Sequence, residues 1–305
     1  MDKFRALTFF SRSVEAGSFA GAAQSLGVVP SALSKTITAL ERELGFTLLN
    51  RSTRKLSLTA EGEVYFARCR QALAELEDAE ATARGGNLAP RGVLRVGMHP
   101  ALRSIAFAEI ARLLDPHPHM KVETFITNSP AALLDRGLDV VLCIGPLADS
   151  TLVARRLGWA RFVVCASPDY VRRRGEPKQP EDLAQHRAII YARPDEEPNT
   201  RWEFIRGREK QVVSVVASLI LRDGVGLVDA GVGGAGVLRP YEFAARRHVE
   251  GGALKVLMAG WSSTRHPVSA VLASSRYVPA KVRVFLEYAE SLLSDGRRLP
   301  VRANP

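Results

Sequence analysis

Ser31, Ser34, Lys35, Thr38 and Arg42 recur at three- and four-residue intervals, so a helix places them on one face. That face holds hydroxyls and cations and no acid. Such a set makes and breaks no covalent bonds. Short hydroxyls exchange hydrogen bonds with phosphates and base edges, while ammonium and guanidinium groups neutralise phosphate charge. A second basic group follows at Arg51, Arg54 and Lys55, with Ser52 and Thr53 between them. Two short β-like stretches flank it, which makes a β-wing with a cationic tip. A tip of that kind, beside a helix in the major groove, reaches the flanking backbone or the minor groove.

Patterns that would signal catalysis are weaker. Residues 231–236 fit G-x-G-x-x-G. A dinucleotide site, however, needs a strand before the motif, a helix after it and an acid about 20 residues on. Here a helical pattern precedes at 224–230, a strand follows at 236–238, and the glycines read as a tight turn. His117-Pro118-His119 lacks a third metal ligand and sits in a proline-bearing loop. Arg172, Arg173 and Arg174 read as a solvated helix end. No nucleophile elbow, H-E-x-x-H or phosphate loop is present. Neither enzymatic activity nor a cofactor is expected.

The elements that must hold the first face are legible. Phe4, Leu7, Phe10 and Val14 mark a first helix that Gly17 ends. Ser18 caps a second helix over 19–26, with Phe19, Ala22, Ala23 and Leu26 inward. Pro30 opens a third that runs to about Leu44. Its Leu33, Ile37, Leu40 and Leu44 lie opposite the hydroxyls and cations. Thr59 caps a long fourth helix, which stops near Arg84 before Gly85-Gly86. Phe66, Cys69, Leu73 and Leu76 form a seam on it, which needs either another chain or the second domain to cover it.

The chain has 305 residues, 46% of them hydrophobic, and a net charge of +10. That suits about two globular domains. Residues 1–58 carry eight Lys/Arg against four Asp/Glu, yet the remainder is basic too, so bulk charge does not locate a polyanion site. No apolar run spans a membrane and the first residues lack a signal-peptide core, so a cytoplasmic location is expected. Cys69, Cys143 and Cys165 are too few and too scattered for a disulfide framework. They read as small buried hydrophobes, with a redox pair as the alternative.

From Val93 onward strands and helices alternate, the pattern of a mainly parallel sheet covered by helices. Strands are expected at 93–98, 122–126, 140–144, 162–166, 189–191, 212–217, 254–257 and 268–273. An amphipathic helix carrying Val282, Phe285 and Leu286 closes the chain. Ligands bind outside the carboxyl ends of strands in such sheets. That singles out the loops His99-Pro100-Ala101, Thr127-Asn128-Ser129 and Gly145-Pro146. Asn128 or Ser129 also suits a helix cap.

The segment FFSRSVEAGSFAGAAQSLGVVPSALSKTITALERELGFTLLNRSTRKLSLTAEG closely resembles the DNA-binding part of the LysR family. The resemblance implies a winged helix-turn-helix over 1–58, with Ser31, Ser34, Lys35 and Thr38 at the major groove and Arg51, Arg54 and Lys55 on the wing. It implies a linker helix over 59–87 that pairs two chains, and homodimers or homotetramers on an inverted-repeat operator in double-stranded DNA. RGVLRVG, GLDVVLCIGPL, FVVCASPDYV and LRDGVGLVDAGVGGAGV are similar to the family's α/β effector domain, here 88–305. Its two subdomains resemble those of periplasmic solute-binding proteins, about 93–162 with 268–296, and about 163–267. The implied effector contacts are Pro100, Ala101, Thr127, Asn128, Ser129 and Gly145 from one, and Tyr191, Trp202, Asp223 and Gly224 from the other. Asp223 alternatively caps the helix it begins. Many relatives carry an arginine where this chain has Cys143, and Ser or Thr near Ala101. These departures point to a less charged or partly apolar effector. Two rivals share the sequence features: a metabolite-binding protein whose first domain only assembles it, and a non-specific architectural DNA protein.

Overall fold

The computed structural model describes residues 2–50, 56–83, 89–193, 196–222, 226–273 and 278–294. The expected contacts Arg51, Arg54, Lys55, Asp223 and Gly224 lie outside the described residues.

Three helices and a wing open the chain. In α1 (Lys3–Ala16) the Asp2 carboxylate accepts the Arg5 amide, and Gly17 ends the helix at φ 63°. In α2 (Phe19–Leu26) the Ser18 hydroxyl accepts the Gly21 amide. Pro30 occupies the first turn of α3 (Pro30–Leu44). Strands β1 (Leu49–Asn50) and β2 (Ser57–Leu58) pair antiparallel. The face of α1 that is buried is Ala6, Phe9, Phe10 and Ser13, whereas Phe4 of the expected stripe is exposed. The shift has a packing cause: α2, α3 and α4 (Ala60–Ala83) all lean on α1, so a wider arc than one stripe must face inward.

The expected seam on α4 is divided. The Thr59 hydroxyl accepts the Gly62 amide at 2.9 Å and donates to the Thr47 carbonyl at 2.7 Å, so the first turns of α4 are fastened to the wing. Phe66 and Cys69 then complete the core of the chain's own first domain, with Phe66 edge-on to Phe10 at 6.0 Å. Leu76 stays exposed. The proximal half of the seam is thus spent within the chain, because α1 and the wing would otherwise leave that core open. Further along, the Arg70 guanidinium donates to the Gly137 carbonyl, which ties α4 to the second part of the molecule.

Two five-stranded sheets follow. The first comprises β3 (Gly92–Met98), β4 (Met120–Ile126), β5 (Val140–Ile144), β6 (Val153–Ala160) and a later strand that returns to it, flanked by α5 (Arg103–Ala108), α6 (Ala111–Leu114) and α7 (Ala132–Asp135). The second comprises β7 (Val164–Ala166), β8 (Arg187–Tyr191), β11 (Val216–Leu221), β12 (Val237–Leu238) and β13 (Lys255–Leu257). Helices α8 (Pro168–Arg174), α9 (Gly226–Val232) and α10 (Glu242–Glu250) accompany it, and β9 (Arg201–Arg206) and β10 (Glu209–Ser214) form a separate hairpin. The chain returns through β14 (His266–Leu272), which lies between β5 and β6, and ends in α11 (Ala280–Ser294).

The expectation of mainly parallel sheets needs correction. In each sheet two of the four pairings are antiparallel: β14 with β5 and β6 in the first, β7 with β12 and β13 in the second. The chain crosses from one sheet to the other and back, and the crossing strands run against the βαβ units they join. The expected strand 212–217 is two strands. They part at the buried Val215, whose amide donates to the Thr200 carbonyl at 2.9 Å. Between β3 and β4 the chain forms a short 3-10 turn, α5 and α6 in place of one continuous helix.

The G-x-G-x-x-G stretch follows a helix and precedes a strand, so it is a turn. A methyl on Gly236 would lie 2.4 Å from the Arg187 carbonyl oxygen, which makes this glycine a packing requirement of β12 against β8. Within the arginine run, Arg172 and Arg173 both pair with Asp169.

The cysteines belong to three separate cores: Cys69 in the first domain, Cys143 against the first sheet, Cys165 within the second. Burial raises their thiols to about 11, 11 and 12 respectively. The thiolate is the reactive species. All three thiols are therefore expected to stay unreacted with a disulfide reagent at pH 8 until denaturant is added. One equivalent of rapid native-state reaction would contradict this.

Candidate functional site

The first candidate surface is α3. Leu33, Ile37 and Leu40 are fully buried behind it. Ser31 and Lys35 are exposed, and Ser34 and Thr38 half-buried at its edge. All four stand on one face, as the spacing predicts. The Thr38 hydroxyl donates to the Ser34 carbonyl at 2.9 Å, so its proton serves the helix. The sequence reading missed Glu41. Its carboxylate accepts the amides of Leu48 and Leu49 at 2.9 and 3.1 Å and so holds the wing strand in a set position beside the recognition face. No linear signal marks it, because its partners are backbone groups of a later element.

The second candidate is a cleft of about 390 Å³ between the two sheets, at the carboxyl ends of β3, β5, β8 and β12. Pro100, Ala101, Asn128, Gly145, Tyr191 and Trp202 all line it, so six of the ten residues singled out converge there from both sheets. Thr127 and Ser129 are not on its wall. The Thr127 hydroxyl accepts the Ser129 amide at 3.1 Å, so this pair shapes the turn that presents Asn128. Asn128 itself is largely engaged: its side chain accepts the Ile144 amide at 2.8 Å and donates to the Ile144 carbonyl at 3.0 Å, locking β4's loop to the end of β5.

The wall also holds His99, from the first of the loops the sequence marks, and side chains that the sequence did not mark, among them Phe162, Arg239, Tyr241 and His266. Phe162 stacks on Tyr241 at 4.2 Å, and His99 and His266 stand edge-on to Tyr241 at 5.7 and 6.1 Å. The Arg239 guanidinium lies 4.6 Å from the Phe162 ring centre and 5.1 Å from that of Trp202. A usable signal did exist for Arg239, since it directly follows β12, a position the carboxyl-end rule selects as it selected the loop of His99 after β3.

Comparison with known proteins decides the family. Residues 88–294 match the LysR substrate binding domain, and residues 4–63 match the bacterial regulatory helix-turn-helix protein of the lysR family. The chain belongs to the LysR family of transcriptional regulators. It is 34% identical over 291 residues to the HTH-type transcriptional activator AaeR of Escherichia coli, covering 94% of this chain and 92% of that one. An HTH-type transcriptional repressor of Pseudomonas aeruginosa is 33% identical over 300 residues, covering 97% and 94%. Among solved structures, that of CrgA, a LysR-type regulator from Neisseria meningitidis, aligns with a TM-score of 0.61 at 32% identity, over 95% of this chain and 98% of that chain. The relatives are named as regulators and not as enzymes. In this LysR-type regulator, among the described residues, no helix is long and apolar enough to cross a membrane.

The cleft of this regulator has a built-in pH dependence. Burial, aided by the positive charge of Arg193, pulls His99 from 6.5 down to about 4. Its neutral Nδ1 accepts the Ala101 amide at 3.1 Å. Unfolded, His99 takes up its proton near pH 6.5; folded, only near 4. The unfolded state therefore binds the extra proton in between, and stability is lost as pH falls from about 6.5 to about 4. His186 and His266 are shifted in the same direction. Urea midpoints measured across this range should fall with acidification, and less steeply in His99→Gln. An identical slope in that variant would count against a buried neutral imidazole.

Proposed function

We propose that this regulator binds an inverted-repeat operator sequence-specifically and that a small-molecule effector, held in the cleft between the two sheets, changes that binding. In this reading Ser31, Ser34, Lys35 and Thr38 enter the major groove and Arg51, Arg54 and Lys55 hold the flanking backbone. The chain works as three units: 1–58 for DNA, 59–87 as linker, and 88–305 for the effector. Two chains pair through the distal half of the linker helix, where Leu76 is exposed, and pairs associate into tetramers in the cytoplasm. Pro100, Ala101, Asn128, Gly145, Tyr191 and Trp202 form the effector wall, with Asp223 and Gly224 added on sequence grounds.

One observation carries the reading: a hydroxyl-and-cation face without an acid stands outward on a helix whose Leu33, Ile37 and Leu40 are fully buried on the opposite side. A merely solvated face would carry mixed charges and no reason for its short hydroxyls. The cleft adds the second half, because effector binding that favours one arrangement of the sheets would shift the operator equilibrium.

Footprinting on the intergenic DNA beside the gene, with and without a metabolite panel, tests both halves. Protection of two symmetric half-sites, altered by a metabolite, is the expected result. Uniform protection of any sequence would favour the architectural rival, and no protection at all the metabolite-binding one.

A further inference from the structure

The polar groups that line the cleft are mostly engaged already. Asn128 is bound to Ile144 through both amide atoms, the Trp202 indole donates to the Asn199 carbonyl at 3.2 Å, and Arg193 pairs with Glu196. Much of the remaining wall is apolar, from Ile144, Ile189, Ile190, Leu227, Val228 and Pro240. Among the charged groups of the wall, Arg239 is the exception. Among the described residues it has no ion-pair partner; the acid that acts on it, Glu203, is held by Lys210 and by the Thr264 hydroxyl. A guanidinium desolvated among rings and lacking a carboxylate is a costly arrangement unless something supplies the anion.

We propose that the cleft takes a small monocarboxylate with an apolar, ring-sized body, its carboxylate paired with Arg239 and its body between the Phe162–Tyr241 stack and the aliphatic wall. This rests on the cleft being the effector site. Guanidinium and carboxylate match as a planar two-point pair, and the low dielectric of the cleft strengthens it. Burial lowers Arg239 only to about 10, so it is charged at neutral pH and ready for an anion. A polyhydroxylated ligand would leave its hydroxyls facing aliphatic side chains, at a cost for each unmade bond. The cavity lies within the range of about 300–1,000 Å³ usual for small-molecule sites. The expectation of a less charged or partly apolar effector came from Cys143 and Ala101 alone, both on the side of the first sheet; the cation follows β12 of the second. Its position also suits signalling, because Phe162 lies where the chain crosses to the second sheet and His266 begins the strand on which it returns.

The test is calorimetric titration and thermal shift of the full-length protein with benzoate, benzamide and acetate. Benzoate should bind and raise the melting temperature, and the other two should bind at least about 10-fold more weakly. Arg239→Gln should lose about 10-fold or more of benzoate affinity, and Arg239→Lys should retain part of it. If benzoate and benzamide bind alike, or if no benzoate binding is seen, the proposal is overturned without recourse to any variant. Val228→Trp, which fills the cleft from α9, separates the two claims. Benzoate binding that survives it unchanged lies elsewhere and removes the cleft reading. Binding that it abolishes, but that Arg239→Gln leaves intact, keeps the cleft and overturns the role of Arg239.

Discussion

Gly62→Ala is expected to destabilise the DNA-binding domain by about 3 kcal/mol, enough to lose operator binding at 37 °C. A methyl at residue 62 would lie 2.0 Å from the Leu48 carbonyl oxygen and 2.9 Å from its carbon. Both are backbone atoms, and they have little freedom to move. The Leu48 amide is held by Glu41, and its carbonyl accepts the Thr59 amide at 3.0 Å. Making room for the methyl would break the joint by which the wing, the end of α3 and the start of α4 are fastened together. Urea unfolding followed by far-ultraviolet dichroism measures this. A variant as stable as the parent would show that α4 and the wing strand are not in this close contact.

Lys35→Glu is expected to weaken operator binding by about 100-fold while leaving stability within about 0.5 kcal/mol of the parent. Lys35 is exposed and has no role in the core, so reversing its charge acts on the DNA and not on the fold. Ser34→Ala should cost less, about 10-fold, and its loss should be concentrated in discrimination between operator sequences. Arg54→Ala should weaken binding evenly across sequences and reduce the slope of affinity against salt by about one. Gel-shift titrations on the footprinted operator and on a scrambled one distinguish these patterns. Parent-like binding by both Lys35→Glu and Ser34→Ala would remove α3 as the contact surface.

The architecture of the first domain and the chemistry of its surface are thus separable. Gly62 and Glu41 create a close junction that sets the position of the wing strand relative to the proposed contact face on α3. A stable domain that fails to bind DNA and an unstable one that fails are thus distinguishable outcomes.

The legibility of each part follows from the range of the interactions that form it. Helix limits in the first domain were readable because their signals are local: Ser18 and Thr59 as caps, Gly17 as the stop, Pro30 in the first turn. The division of the α4 seam was not readable, since Phe66 and Cys69 look alike whether they face a second chain or the chain's own α1. Strand β9 was overlooked although Trp202 and Phe204 alternate with Arg201 and Glu203. Strand β6 gave little signal, for as an edge strand it exposes Arg155 and Trp159.

By itself the sequence determined the winged helix-turn-helix, the face of α3 that carries hydroxyls and cations, and the loops at strand ends from which the cleft is built. Those depend on periodicity, capping and turn chemistry, which act over a few residues. Only the tertiary structure decided which side chains meet across long separations. It set the mixed direction of the sheets, the brace from Glu41, and the convergence of Phe162, Arg239, Tyr241 and His266 beside His99. The cleft contacts join residues tens to more than a hundred positions apart, and the Glu41 brace, though it spans only seven and eight positions, ends on backbone groups of another element, so no spacing along the chain records either.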